Sequence, residues 1–330
     1  MPSFRAQNDN IRKRQPETPM PDIVVTEFMD EAALAALRGR HKVHYDPALV
    51  DQPDALHALL KDARALIVRN RTQVRGALLT AAPRLEVVGR LGVGLDNIDV
   101  EACRARGIAV RPATGANDLA VAEYVICGAM MLLRGAYHAS AEVAGGAWPR
   151  TRLMGRETSG RILGLVGFGA IARETARRAV ALGMDVIAND PFLDADNPAF
   201  AANGARPASL DAVLRDADAV SLHVPLTAET RGLIGADALA RMRPDAVLIN
   251  AARGGVVDEA ALAEALKAGR LAGAMLDVFE TEPLPGGGPL EGVPNLILTP
   301  HIAGVTVESN VRVSEAVAIA VAQVLQEKAA

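Results

Sequence analysis

Aromatic side chains are scarce in this sequence. Its 330 residues include six Phe, three Tyr and one Trp, only 3%, while hydrophobic residues make up 50%. The core is therefore aliphatic, and a nucleic-acid binder is disfavoured because few rings are available for base stacking. An excess of one charge is also missing. Lys and Arg number 35 against 39 Asp and Glu, a net charge of −4, so a self-repelling disordered chain is excluded for the bulk of the sequence. Cysteine is nearly absent. Cys103 and Cys127 cannot supply a disulfide framework, which fits a reducing, cytoplasmic setting. No long apolar run exists. The best candidate, 121–133, is interrupted by Glu123 and stops at Arg134, short of the roughly 20 residues that span a bilayer, so no membrane partner is expected. Residues 1–19 are polar and lack the apolar stretch of a secretory signal. Asp9 and Glu17 argue against an organelle presequence, so this segment reads as a disordered extension or an upstream start.

What is present is a repeated alternation of short aliphatic runs and amphipathic stretches. Strands are predicted at 23–25, 41–45, 65–68, 85–88 and 108–110, with a helix at 30–40 that Asp30 can cap. The longest helical pattern covers 117–134 and ends at Gly135. A second series starts at 162–166, with a helix at 171–182, and continues with strands at 185–188, 219–222, 246–249, 273–276 and 296–298. The run 283–289 (PLPGGGP) is a loop, and 307–328 is a final helix. Strands separated by helices imply parallel sheets. The fold class is α/β, with two doubly wound parallel-sheet domains and a ligand cleft at the carboxyl ends of the strands.

Two glycine turns compete to hold a phosphate. The turn at 167–172 follows a five-residue aliphatic strand and opens a helix. Gly167 permits the sharp turn, Gly169 lets the backbone approach a pyrophosphate, and the small Ala172 lets the helix pack on the strand. Asp190 lies 18 residues beyond Ala172, where a carboxylate can accept from the adenosine ribose hydroxyls and repel a 2′-phosphate; the other reading is that it only starts the turn at Pro191. The cofactor expected is therefore NAD rather than NADP. The turn at 89–94 has no small residue at its third position and no acid at the right distance. Gly92, Val93 and Gly94, beside Arg90, Asp96 and Asn97, suit a substrate loop better.

The six histidines, His41, His44, His57, His138, His223 and His301, show no ligand spacing, and no metal site is expected. His301 follows an aliphatic strand, at the position for a proton-transfer group, or it can be a solvated loop histidine. Arg253, in the run 250–255 (NAARGG), can grip a carboxylate with two parallel hydrogen bonds, or it can be a surface arginine. Asp277, Glu280 and Glu282 each could pair with a histidine, and position alone does not choose between them.

Together these motifs resemble the D-isomer-specific 2-hydroxyacid dehydrogenase family, of which D-3-phosphoglycerate dehydrogenase is the familiar member. The matching segments are 167–172 with Asp190, His223-Val224-Pro225, 250–258 (NAARGGVVD), 276–283 (LDVFETEP) and 298–304 (LTPHIAG), in family order. The resemblance implies a catalytic set of Arg253, Glu282 and His301. It implies an NAD site that includes Gly167, Gly169, Ala170, Ile171, Asp190, His223, Pro225, Ala251, Ala252, Arg253, Asp277, His301 and Gly304. It further implies a Rossmann NAD domain at 115–296 and a discontinuous, flavodoxin-like substrate domain at 20–114 and 297–330. Hydride would pass between substrate C2 and the nicotinamide, and His301 would move the hydroxyl proton. Glu282 would favour the imidazolium form, and Arg253 would clamp the C1 carboxylate.

The substrate expected is a small 2-hydroxy or 2-keto acid with a second anionic group. Arg69 and Arg71 follow the strand at 65–68 and could meet that group; they could equally be surface arginines. Segments 26–31, 45–47 and 69–73 resemble the family's bacterial sulfolactate dehydrogenases, so 3-sulfolactate ranks ahead of 3-phosphoglycerate and simpler hydroxy acids. The chain ends about 29 residues after His301, so a C-terminal regulatory domain with serine feedback is not expected. The family also implies a homodimer through the cofactor domains, with helix 117–134 and the loop carrying Trp148 as contacts. An NAD-sensing corepressor is the non-enzymatic alternative, and the complete Arg253, Glu282 and His301 set argues against it.

Overall fold

Short aliphatic runs become parallel strands, because a strand covered on both faces needs no polar alternation. A computed structural model describes residues 21–328, and the expected extension at 1–19 lies outside the described residues. The chain divides into two units, which among the described residues are 21–112 with 317–328, and 113–316.

In the first unit, β1 (Ile23–Val25), β2 (Val43–Tyr45), β3 (Ala65–Val68), β4 (Val87–Arg90) and β5 (Ala109–Pro112) pair in the order β2-β1-β3-β4-β5. All the pairings are parallel, which gives the flavodoxin-like order. Between the strands run α1 (Glu31–Arg38), α2 (Pro53–Leu60), α3 (Ala77–Ala81) and α4 (Val100–Ala105). Asp30 caps α1 as its position suggests, its carboxylate accepting from the Ala32 N–H at 2.9 Å. Val24, Leu66, Val68 and Val88 pack with Leu56, Leu60, Leu79 and Cys103 into one buried aliphatic cluster.

The second unit opens with α5 (Asp118–Arg134) and α6 (Ser140–Ala144). Helix α5 stops at Gly135, which takes a left-handed φ of 63°. The sheet follows, with β6 (Ile162–Val166), β7 (Asp185–Asn189), β8 (Ala205–Pro207), β9 (Ala219–Leu222), β10 (Val247–Asn250), β11 (Gly273–Leu276) and β12 (Leu296–Leu298). The helices are α7 (Ala170–Ala181), α8 (Pro198–Ala202), α9 (Leu210–Asp216), α10 (Ala236–Arg241), α11 (Glu259–Lys267) and α12 (Val307–Glu327). The strand order β12-β11-β10-β9-β6-β7-β8 reverses direction between β6 and β9. A doubly wound sheet binds its ligand outside the carboxyl ends of the strands at such a reversal. Successive residues of β10 serve opposite faces, Val247 and Ile249 in one aliphatic cluster and Leu248 in the other.

The first expected boundary, after residue 114, lies after Pro112 instead. The expected return at 297 does not occur there. β12 pairs in parallel with β11, so it belongs to the larger sheet, and the chain rejoins the first unit only at Val317, inside α12. Beyond that point α12 lies on β4. A Cβ at Gly89 would come within 2.6 Å of Val317 and 2.7 Å of Val321, so the glycine makes room for the helix. Gly89 thus has a packing role. Among the described residues no helix is long and apolar enough to cross a membrane.

Candidate active site

The turn after β6 requires glycine for two reasons. Gly167 has φ +89°, and a Cβ there would lie 2.6 Å from the carbonyl oxygen of His223, at the end of β9. Phe168 then turns inward and stacks on Phe200 with ring centroids 4.8 Å apart. Gly169 faces open space, with nothing within 4 Å of an added Cβ, and it starts α7 with no side chain capping the helix N-terminus. Ala172 is wholly buried in the core beneath that helix. Asp190 follows β7 and braces the turn, accepting from the Phe168 N–H at 2.9 Å and the Phe192 N–H at 3.0 Å. An open glycine, uncapped amides at the start of a helix and a carboxylate just beyond the neighbouring strand fit a dinucleotide.

His223 is partly buried, and that burial pushes it down to about 4, so the ring is neutral at neutral pH. Its Nε2 lies 3.0 Å from the Ser221 hydroxyl.

The chemical groups stand at the ends of β10, β11 and β12 of the same sheet. Asn250, the last residue of β10, is buried and shapes the loop beyond it. Its amide donates to the Arg253 carbonyl at 2.9 Å, and its oxygen accepts from the Ala252 N–H at 3.0 Å. A Cβ on Gly254 would collide with the Phe279 carbonyl, so the loop bearing Arg253 lies directly against the loop that leads to Glu282. Arg253 is partly buried and donates to the Ala252 carbonyl at 2.5 Å.

The three acids after β11 have three different tasks. Asp277 is 1% exposed. Its carboxylate accepts from the Thr299 hydroxyl at 2.6 Å and from the Ile302 and Ala303 N–H groups at 2.8 Å each. It therefore builds the loop that carries His301. Glu280 is exposed, and its N–H donates to Glu259 at 2.7 Å. Glu282 is the acid that meets the histidine. Its Oε2 lies 2.7 Å from His301 Nδ1, and its Oε1 accepts from the Phe279 N–H at 3.0 Å. Burial alone would raise the Glu282 carboxyl. The hydrogen bonds from His301 and Phe279, with the charges of His301 and Arg253, outweigh burial and hold it below its ordinary range. An ionised carboxylate only accepts, so Nδ1 carries a proton and Nε2 is the nitrogen left for exchange.

Sequence reasoning missed Tyr124, on α5. Its hydroxyl lies 2.5 Å from Thr299 Oγ1. The Thr299 proton is given to Asp277, so Tyr124 must be the donor to Thr299. Burial pushes the Tyr124 phenol well above its ordinary value, so it keeps that proton.

The residues expected at the substrate lie in the first unit. Arg71 pairs with Asp51 at 2.5 Å on the surface. Arg69 is partly buried, and its guanidinium lies 5.7 Å from the centroid of the Phe28 ring. Arg90 ends β4 and folds over Gly92, where any side chain would collide with it. Val93 and Gly94 follow on the same turn, Val93 exposed and Gly94 partly buried.

A Rossmann sheet with this turn and a carboxylate-bound histidine at its strand ends defines a nicotinamide-dependent dehydrogenase. The family model for the D-isomer-specific 2-hydroxyacid dehydrogenase NAD-binding domain matches residues 126–303. The chain is 57% identical over 295 residues to (S)-sulfolactate dehydrogenase of Chromohalobacter salexigens, which covers 89% of this chain and 95% of that protein. It is 41% identical over 254 residues to D-3-phosphoglycerate dehydrogenase of Archaeoglobus fulgidus, covering 77% of this chain and 48% of that protein, so it spans about half of that relative. D-lactate dehydrogenase from Aquifex aeolicus, solved with NAD and lactic acid, superposes with a TM-score of 0.80 at 27% identity, covering 92% of this chain and 96% of that one. The chain belongs to the D-isomer-specific 2-hydroxyacid dehydrogenase family, and its reaction is the NAD-dependent interconversion of a 2-hydroxy acid and a 2-keto acid.

Proposed function

We propose that this dehydrogenase interconverts (S)-3-sulfolactate and 3-sulfopyruvate, with Arg253, Glu282 and His301 as its catalytic residues. The observation that carries the chemistry is the 2.7 Å bond between Glu282 and His301, and the 57% identity to a sulfolactate dehydrogenase supports the substrate. NAD, when bound, exchanges the C2 hydrogen as hydride. His301 handles the other hydrogen. Its Nε2 takes the hydroxyl proton on oxidation and returns it to the carbonyl oxygen on reduction. Glu282 keeps Nδ1 protonated and balances the charge on the imidazolium. Arg253 grips the C1 carboxylate and so fixes the orientation of C2. Gly167, Gly169, Ala170, Ile171 and Asp190 are assigned to the cofactor, along with His223, Pro225, Ala251, Ala252, Arg253, Asp277, His301 and Gly304. Arg69, Arg71 and the turn Gly92-Val93-Gly94 are assigned to the substrate, with Arg69 meeting the sulfonate.

A phosphorylated substrate is the second reading, favoured by the 41% identity to a phosphoglycerate dehydrogenase. NADH oxidation with 3-sulfopyruvate, 3-phosphohydroxypyruvate, oxaloacetate, glyoxylate and pyruvate separates the two. The expected outcome is the highest kcat/KM with 3-sulfopyruvate. A higher value with 3-phosphohydroxypyruvate installs the second reading, and no turnover with any of the five overturns both.

The proposal extends to a cytoplasmic homodimer. Two free cysteines suit the compartment. Exposed apolar side chains on α5 and around Trp148 support the dimer.

A further inference from the structure

The carboxyl edge of the five-stranded sheet holds a buried polar cluster that the catalytic set does not use. Glu27 lies two residues beyond the end of β1 and is 6% exposed. Its Oε1 accepts from the N–H groups of Arg69 at 2.9 Å and Thr72 at 3.0 Å, and its Oε2 from the N–H of Arg71 at 3.1 Å. Asn97, also buried, holds the same segment by its carbonyls, donating to Arg69 O at 3.2 Å and Thr72 O at 2.7 Å. The Thr72 hydroxyl pairs with that of Thr26 at 2.8 Å.

A buried carboxylate is costly unless donors meet its charge. Here all three backbone donors come from residues 69–72, so the carboxylate and that turn hold one another in a single conformation. The turn carries Arg69. Burial weakens the hold of Arg69 on its proton, and the nearby negative charge of Glu27 works against that loss. The Phe28 ring packs on the same guanidinium. Val68, the residue before Arg69, is aligned with Arg90 on β4. Two arginines thus stand at the ends of neighbouring strands, and one is fixed in place by a carboxylate that does not itself need to touch a ligand.

We propose that Glu27 is the positioning residue for the second anionic group of the substrate. It fixes the turn at 69–72 so that Arg69 is already in its binding orientation before a sulfonate arrives. This rests on the reading that the substrate carries such a group and that Arg69 meets it. A guanidinium held in place loses little freedom on binding, so preorganisation appears as affinity for that group and not as faster chemistry.

The test is steady-state reduction of 3-sulfopyruvate and of glyoxylate, which lacks the second anion, by wild type, Glu27→Gln, Arg69→Met and the double variant. In Glu27→Gln the KM for 3-sulfopyruvate should rise about tenfold more than the KM for glyoxylate, the size expected for losing a charged hydrogen-bond acceptor. On the Arg69→Met background the same change should add less than about twofold, because coupled residues are not additive. Melting temperatures report whether each variant folds. Asn97→Ser loosens the turn from its other side and should show the same substrate bias if Glu27→Gln does not fold. An equal rise for both keto acids, or full additivity with Arg69→Met, overturns the role of Glu27 while leaving the substrate reading intact. A wild-type enzyme that reduces glyoxylate but neither 3-sulfopyruvate nor 3-phosphohydroxypyruvate removes the second anion, and the proposal falls with that reading.

Discussion

His301 has φ +56°, a left-handed conformation uncommon for a residue with a side chain, and its N–H is held by the Asp277 carbonyl at 2.8 Å. Such a backbone persists when its surroundings over-determine it. Here Asp277 fixes the main chain and Glu282 fixes the ring. Replacing His301 with Ala should reduce turnover by roughly two to four orders of magnitude, the range for a general acid–base residue, while NADH binding measured by fluorescence survives. Turnover close to wild type would remove His301 from the mechanism. Glu282 gives a separate prediction through pH. Its folded carboxyl lies below its ordinary value, so it binds a proton less tightly folded than unfolded. The stabilisation from its bonds is fully present above the ordinary glutamate range, at about pH 4.3, and is lost as pH falls through the lower folded value. The melting temperature of wild type should exceed that of Glu282→Gln at neutral pH, and the gap should close in that acid window. A gap that stays constant down to pH 3 would show that the pair does not contribute in this way.

At the scale of elements, one helix holds the catalytic loop through a short relay. Tyr124 on α5 donates to Thr299, Thr299 donates to Asp277, and Asp277 accepts from the Ile302 and Ala303 amides. Tyr124→Phe removes one hydrogen bond from a loop that remains otherwise anchored. The expected loss is about 0.5–1.5 kcal/mol of loop stability, seen as faster amide exchange at Ile302 and Ala303 and a kcat reduced several-fold, with affinity for NADH unchanged. Unaltered exchange at those amides would detach Tyr124 from the loop. Strands were legible in the sequence wherever an aliphatic run was long enough to be covered on both faces, as with β6, β9 and β10. Helix starts were legible where an acid could cap them, as at Asp30. β8 was not, because Ala205–Pro207 is three residues long and ends in proline, which only an edge strand tolerates. The Glu282–His301 pairing was not readable from position alone, since Asp277 and Glu280 stand equally near the end of β11, and the family resemblance made that choice. Glu27 gave a signal close to that of Asp190, an acid within two residues of the end of an aliphatic strand. What gives it meaning is the turn at 69–72, more than 40 residues away in the chain, and no spacing rule connects the two.

For the molecule as a whole, the aliphatic economy of the sequence makes its exposed large side chains conspicuous. Trp148 is 75% exposed, Met154 77% and Tyr137 61%. Met130 on α5 is also exposed, and with Ile126, Met131, Tyr137 and Leu182 it lines an apolar groove between α5 and α7. Scattered apolar residues on a surface need no explanation, but an apolar groove beside exposed large side chains suits an interaction surface. The flexible thioethers of Met130 and Met131 suit a face that must adapt to a partner. A second copy of the chain meets that requirement, because a two-fold contact places the same patch on both sides and covers it with its own equivalent. The single Trp makes this measurable. Light scattering should give twice the mass of one chain for the wild type. A charge at the centre of the patch, as in Met130→Glu, should return the mass to that of one chain while the far-ultraviolet circular dichroism stays that of a folded protein. In the dimer the Trp148 fluorescence should be blue-shifted and less accessible to iodide than in the variant. A wild type that scatters as a single chain at micromolar concentration, with Trp148 freely quenched, would exclude the dimer.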